Sequence, residues 1–160
     1  MDLQELGIDY LQVSNFIPII QQCFGRFSPT LRSLALKGPT GSCRQILYFI
    51  GLFPNLQDLK LHSFLPIDGQ GNIADAALIP LSTPPLQGRL TLAWFMRVNL
   101  VEDMIALFRG LRFRYMDLYR VDPLEMKCVP LLLDACAETL ETLRLHPSDP
   151  CGEGFLKERR

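Results

Sequence analysis

Apolar residues recur along this chain in a six-residue frame, Leu-x-x-Leu-x-Leu. The frame is met at Leu31, Leu34 and Leu36, at Leu56, Leu59 and Leu61, and at Leu140, Leu143 and Leu145. Looser copies run through Ile8, Leu11 and Val13 and through Phe113, Met116 and Leu118. A sixth, at Leu86, Leu90 and Leu92, holds one extra residue beside Gly88. Successive side chains of a strand point to opposite faces. The two closing apolar residues of each copy therefore share one face, and the residue between them points the other way. The leading residue covers the turn into the strand. The first inward strand residues are then 11, 34, 59, 90, 116 and 143, at intervals of 23, 25, 31, 26 and 27. A strand-bearing unit returning at that period marks a leucine-rich-repeat solenoid, in which no unit can bury its apolar face alone and neighbours must stack.

Between the frames the apolar spacing becomes helical. Asn15 caps a stripe of Phe16, Ile19, Ile20, Cys23, Phe24 and Phe27. Ser42 and Gln45 form a capping box ahead of Ile46, Leu47, Ile50 and Phe53. Asn99 and Glu102 open a third helix with Ile105, Phe108 and Leu111 inward, and Gly110 ends it. Pro130 breaks any helix running on from 123, which places the last helix from Val129 to Glu138 with Leu132, Leu133, Cys136 and Ala137 inward. Residues 64–85 depart from this rhythm. Gly69, Gly71, Pro80, Pro84 and Pro85 leave room for at most a short helix near 73–79. Strand and helix in constant alternation predict a parallel sheet with right-handed crossovers. The expected architecture is an α/β horseshoe fragment, with about six parallel strands on the inner face and helices on the outer one. The repeat domain spans 1–146, with an irregular connection at 64–88, and 147–160 forms a C-terminal tail.

Length and composition change this picture little. The 160 residues are one domain's worth, and a net charge of −1 supplies no overall field for nucleic acid or an anionic membrane. The five cysteines are odd in number and lack a C-x-x-C pair, so neither a disulfide framework nor a zinc site is indicated. They are expected to be reduced and, in the helices, buried. The N-terminus lacks the basic and apolar regions of a secretory signal, and no apolar run is long enough to span a bilayer. An intracellular location, cytoplasm or nucleus, is expected.

The inner face is the best functional candidate. Its side chains are Tyr10, Gln12 and Ser14; Ser33, Ala35 and Lys37; Asp58, Lys60 and His62; Arg89, Thr91 and Ala93; Tyr115, Asp117 and Tyr119; and Thr142, Arg144 and His146. Tyr, Arg and His held on a rigid sheet are residues that protein-binding hot spots use. The partner-binding set is therefore Lys60, His62, Arg89, Tyr115, Asp117, Tyr119, Arg144 and His146. Asp117 and Arg144 fall on adjacent strands and can simply pair, and a merely solvated face is the competing interpretation. His62 and His146 occupy equivalent positions three strands apart, roughly 14 Å, too far for one metal. Tyr119 beside His146 suits recognition. Gly38 to Ser42 lacks the Gly-Lys-Ser/Thr ending of a phosphate loop and is a helix cap. Gly69 to Ala74 mimics a dinucleotide fingerprint, without a suitably placed acid on a following strand. Trp94 is expected in the core. No catalytic residue, metal site or cofactor is indicated.

The chain resembles the leucine-rich-repeat portion of fungal F-box-type proteins. Leu31 to Leu36, Gly41 to Ile46, Leu52 to Leu61 and Ala137 to Leu145 carry the resemblance. It implies a non-enzymatic protein–protein interaction module of the kind that forms the substrate-recognition repeats of a ubiquitin ligase receptor. The alternative is a truncated or remnant repeat fragment with no independent activity. The stretch before Ile8 is too short for an F-box, so contact with the ligase adaptor requires one outside this chain. The common repeat places Asn or Cys three residues after the last strand leucine. Here those positions hold Phe16, Pro39, Phe64, Phe95, Val121 and Ser148, which predicts turns packed by apolar groups rather than an amide ladder.

Overall fold

The computed structural model describes residues 3–12, 22–63, 65–66, 84–93, 98–121 and 125–147. The strands are β1 (Glu5–Asp9), β2 (Ser33–Lys37), β3 (Thr40–Gly41), β4 (Asp58–His62), β5 (Leu65–Pro66), β6 (Leu86–Ala93), β7 (Leu111–Val121) and β8 (Thr142–Pro147). The helices are α1 (Cys43–Gly51), α2 (Val98–Leu107) and α3 (Cys128–Ala135). The main sheet has six strands in the order β1-β2-β4-β6-β7-β8, every pair parallel. Its strands thus succeed one another in chain order. The short β3 and β5 pair in parallel beside it.

The alternation of the frame is what places the core. Leu6, Leu34, Leu59, Leu90, Met116 and Leu143 lie opposite one another across the six strands, and so do Ile8, Leu36, Leu61, Leu92, Leu118 and Leu145. The interior members of both rows are buried, and each buried leucine contributes about 1.5–3 kcal/mol. At the β8 end Leu145 is 41% exposed. The helices close the other side of this layer with Ile46, Leu47, Phe49 and Ile50, with Leu100, Val101 and Met104, and with Val129 and Leu132. Phe49 meets Phe24 and Phe53 edge to face at 5.6 and 5.3 Å. The capping box forms as expected: Gln45 N donates to Ser42 Oγ at 3.2 Å, and Ser42 N donates to Gln45 Oε1 at 3.1 Å.

Several expectations are corrected. The first strand is Glu5–Asp9 rather than 8–13. Two frames overlap here and share Ile8, and the one that starts at Leu3 prevails. It lets the Gln4 carbonyl accept the amides of Arg32 and Ser33 at 2.8 and 3.0 Å, while the Thr30 hydroxyl donates to the Leu3 carbonyl at 3.0 Å. The first interval thus becomes 28 residues, from Leu6 to Leu34. Tyr10 leaves the face, and Gln12 makes an isolated parallel bridge to Thr40. In the third helix Ile105 is 38% exposed, because the buried stripe is Leu100, Val101, Met104 and Phe108, one position around. Ala137 and Cys23 are likewise exposed, whereas Cys128 and Cys136 are buried. The last helix begins one residue earlier than 129 and ends at Ala135, three residues short of 138, and a 3-10 turn at Glu125–Lys127 precedes it. Asn15 and most of its stripe, residues 67–83, Trp94 and the tail from 148 lie outside the described residues.

Two regularities were invisible in the apolar pattern. The residue after the strand in three successive copies, Tyr10, Gly38 and Ser63, takes a left-handed turn with φ of 58, 59 and 53°. Their amides donate to the carbonyls of Lys37, His62 and Ala93 at 2.7, 2.7 and 2.9 Å, extending the ladder by one rung. Arg120 repeats the turn in β7 with φ 54°. At the other end, the polar residue before the leading leucine ties copy to copy. Thr139 Oγ1 donates to the Phe113 carbonyl at 3.2 Å and Asn55 Nδ2 to that of Pro29 at 3.0 Å, as Thr30 does to Leu3. Among the described positions where an amide ladder was not expected, Pro39 and Val121 are buried and apolar.

Candidate functional site

The face of the sheet turned away from the helices carries three aligned rows. The first is Glu5, Ser33, Asp58, Arg89, Tyr115 and Thr142. The second is Gly7, Ala35, Lys60, Thr91, Asp117 and Arg144. The third is Asp9, Lys37, His62, Ala93, Tyr119 and His146. All eight residues of the partner-binding set belong to these rows. Five of them, from β7 and β8, form a contiguous group: Tyr115, Asp117, Tyr119, Arg144 and His146. Tyr119 and His146 stack with ring centroids 4.3 Å apart and planes within 4°. Arg144 Nε lies 3.8 Å from Asp117 Oδ1, a long ion pair with an exposed arginine and a half-buried aspartate, of small energetic weight. On β6, the Arg89 guanidinium sits 5.5 Å from the centre of the Tyr115 ring.

Lys60 is committed differently. Its Nζ pairs with Asp58 Oδ2 at 3.0 Å on the same strand, and Ser33 Oγ donates to that oxygen at 3.4 Å. His62 stands half-buried between Lys37 and Ala93, three strand steps from His146. Thr91 and Ala93 are buried at the centre of the face although they point away from the core.

One part of the site was not anticipated. A groove of about 530 Å³ runs across the entry ends of β4, β6 and β7, lined by Gln57, Asp58, Gln87, Gly88, Arg89, Arg112, Arg114 and Tyr115. Its floor follows from spacing. Leu86 to Leu90 is one residue longer than Leu56 to Leu59, and Leu111 to Met116 is one longer again. The register between β6 and β7 shifts at Gly88/Arg89, where Arg114 has no opposite number. Gly88 has φ +87°, and a Cβ there would come within 2.1 Å of the Gln57 carbonyl oxygen, so only glycine fits. Arg114 Nε donates to Glu141 Oε1 at 2.7 Å, with Nη2 on the same oxygen. That hydrogen bond holds the Glu141 carboxyl below its usual range, Tyr115 adds to the effect, and Arg114 is raised in turn. The signal was present in sequence as Arg112 and Arg114 alternating with buried Phe113.

No metal-holding group of three or more His, Cys, Asp or Glu side chains occurs among the described residues, and no helix there is long and apolar enough to cross a membrane. The chain matches no protein-family model, no curated protein and no solved structure.

Proposed function

We propose that the chain is a stretch of leucine-rich-repeat solenoid and a non-enzymatic protein-binding module whose contact surface is the open sheet face over β6, β7 and β8. The observation that carries the reading is the in-register cluster on that face: Arg89 over Tyr115, Asp117 with Arg144, and Tyr119 stacked on His146. Aromatic and guanidinium groups fixed by a sheet lose little entropy on binding and are frequent interface anchors. Strands that succeed one another in chain order, each with a leucine at or just before its start and three followed by the same left-handed turn, support the solenoid. The resemblance to fungal F-box-type repeats extends the proposal. The bound protein is then a ubiquitination substrate inside the cell, and the ligase adaptor is reached through an F-box outside these 160 residues. The test is capture of partners from an extract by the purified chain. Tyr119→Ala combined with Arg144→Ala abolishes capture of a partner that the parent retains, while Glu102→Ala, on the helical side, does not. An unchanged set of captured proteins in the double variant refutes the face.

A further inference from the structure

We infer that the groove at the entry ends of β4, β6 and β7 is a subsite for an acidic peptide segment, with Arg89 and Arg112 as the carboxylate-binding residues. The inference rests on the protein-binding reading and names the chemistry of the partner. Three arginines, Arg89, Arg112 and Arg114, line one depression. The chain itself shows what they bind. Arg114 holds the carboxylate of Glu141 through Nε and Nη2, and the contact lowers that carboxyl's pKa. Arg89 and Arg112 have no such partner among the described residues, and Arg89 is instead held by the Tyr115 ring. A guanidinium that is fixed in place but unpaired is a ready donor for an incoming carboxylate.

The lining also decides between polyanions. Asp58 borders the groove, and one of its oxygens, Oδ1, is shielded from solvent without a hydrogen-bond partner among the described residues. Glu141 lies at the Arg114 side and Asp117 one row away. A nucleic-acid strand, charged at every step, meets those carboxylates with repulsion. A peptide can place its acids at Arg89 and Arg112 and neutral residues between them. Glycine at 88 lets the Gln57 backbone approach closely, taking the space a Cβ would fill, so that backbone lines the groove between the two arginines.

The experiment measures fluorescence anisotropy of a labelled peptide alternating glutamate and serine, added to the intact chain. A lysine-for-glutamate peptide and a labelled single-stranded oligonucleotide serve as comparisons. The glutamate peptide binds, binding weakens with added salt, and Arg89→Ala with Arg112→Ala weakens it roughly tenfold or more. Both residues are exposed, so the double variant keeps the parent's unfolding midpoint. The double lysine variant, which keeps charge but loses the planar fork, falls between the two. Absence of binding to the parent, binding unaffected by the double alanine variant, or tighter binding of the oligonucleotide overturns the inference. Partner capture that still depends on Tyr119 and Arg144 after such a result leaves the face reading standing and removes only the groove. Loss of both removes both.

Discussion

The two halves of the open face share a backbone and differ in everything above it. On β1 and β2 the three rows hold Glu5, Gly7 and Asp9, then Ser33, Ala35 and Lys37: short or singly charged groups with no aromatic ring. On β7 and β8 they hold Tyr115, Asp117 and Tyr119, then Thr142, Arg144 and His146, tied to one another by stacking and an ion pair. The residues beneath are nearly interchangeable, leucine facing leucine from β2 to β6 with Met116 and Leu118 on β7. The inward positions therefore keep the repeat together, and the outward ones are free to differ. Rings and guanidinium groups occur together on β6, β7 and β8.

If the halves share one core, equivalent core truncations must cost the same. Leu34→Ala on the plain half and Leu90→Ala near the decorated half, both 0% exposed, should each destabilise by about 3–4 kcal/mol in urea unfolding, in a single transition. Two separate transitions would break the comparison. Gly88→Ala acts where β6 meets the entry of β4 and costs about 2–3 kcal/mol, because the added methyl collides with the Gln57 carbonyl and φ is positive. Loss of the acidic-peptide site should accompany it. Ser63→Gly, at the left-handed turn after β4, raises stability by about 0.5 kcal/mol, since glycine adopts that φ without strain. The smallest effect is acid sensitivity at Glu141. Its folded-state value lies below its ordinary 4.5, so the stabilisation is present above that value and is lost as pH falls through the folded one. Thermal unfolding followed between about pH 5 and pH 3 should therefore decline slightly more steeply in the parent than in Glu141→Gln.

The repeat made much of this legible. Once the frames at Leu31, Leu56 and Leu140 were aligned, adjacency followed by counting, which is why the Asp117–Arg144 and Tyr119–His146 neighbours and the irregularity at Gly88 could be read before any coordinates. The first strand could not. Leu3-x-x-Leu6-x-Ile8 and Ile8-x-x-Leu11-x-Val13 alternate equally well, and only pairing to β2 chooses between them. Ile105 and Ala137 failed for a related reason: residues at the margin of a helical stripe are assigned by the neighbour they pack on, not by their spacing. The unequal spacings from Leu86 to Leu90 and from Leu111 to Met116 and the arginines around Phe113 stand in the sequence, but that they meet in one groove follows only from how β6 and β7 pair. The left-handed turns left no composition signal, since Tyr10, Gly38, Ser63 and Arg120 share a backbone conformation and no chemistry.

The most direct test of a binding surface confined to β6, β7 and β8 is oxidative footprinting of the chain with and without a captured partner. Tyr10, Tyr115 and Tyr119 are 74%, 38% and 37% exposed and label readily in the free chain. On partner addition Tyr115, Tyr119 and His146 should lose labelling while Tyr10 and the helix-side Met126 keep theirs. Protection of Tyr10 or Met126 with Tyr119 and His146 unchanged would contradict the account.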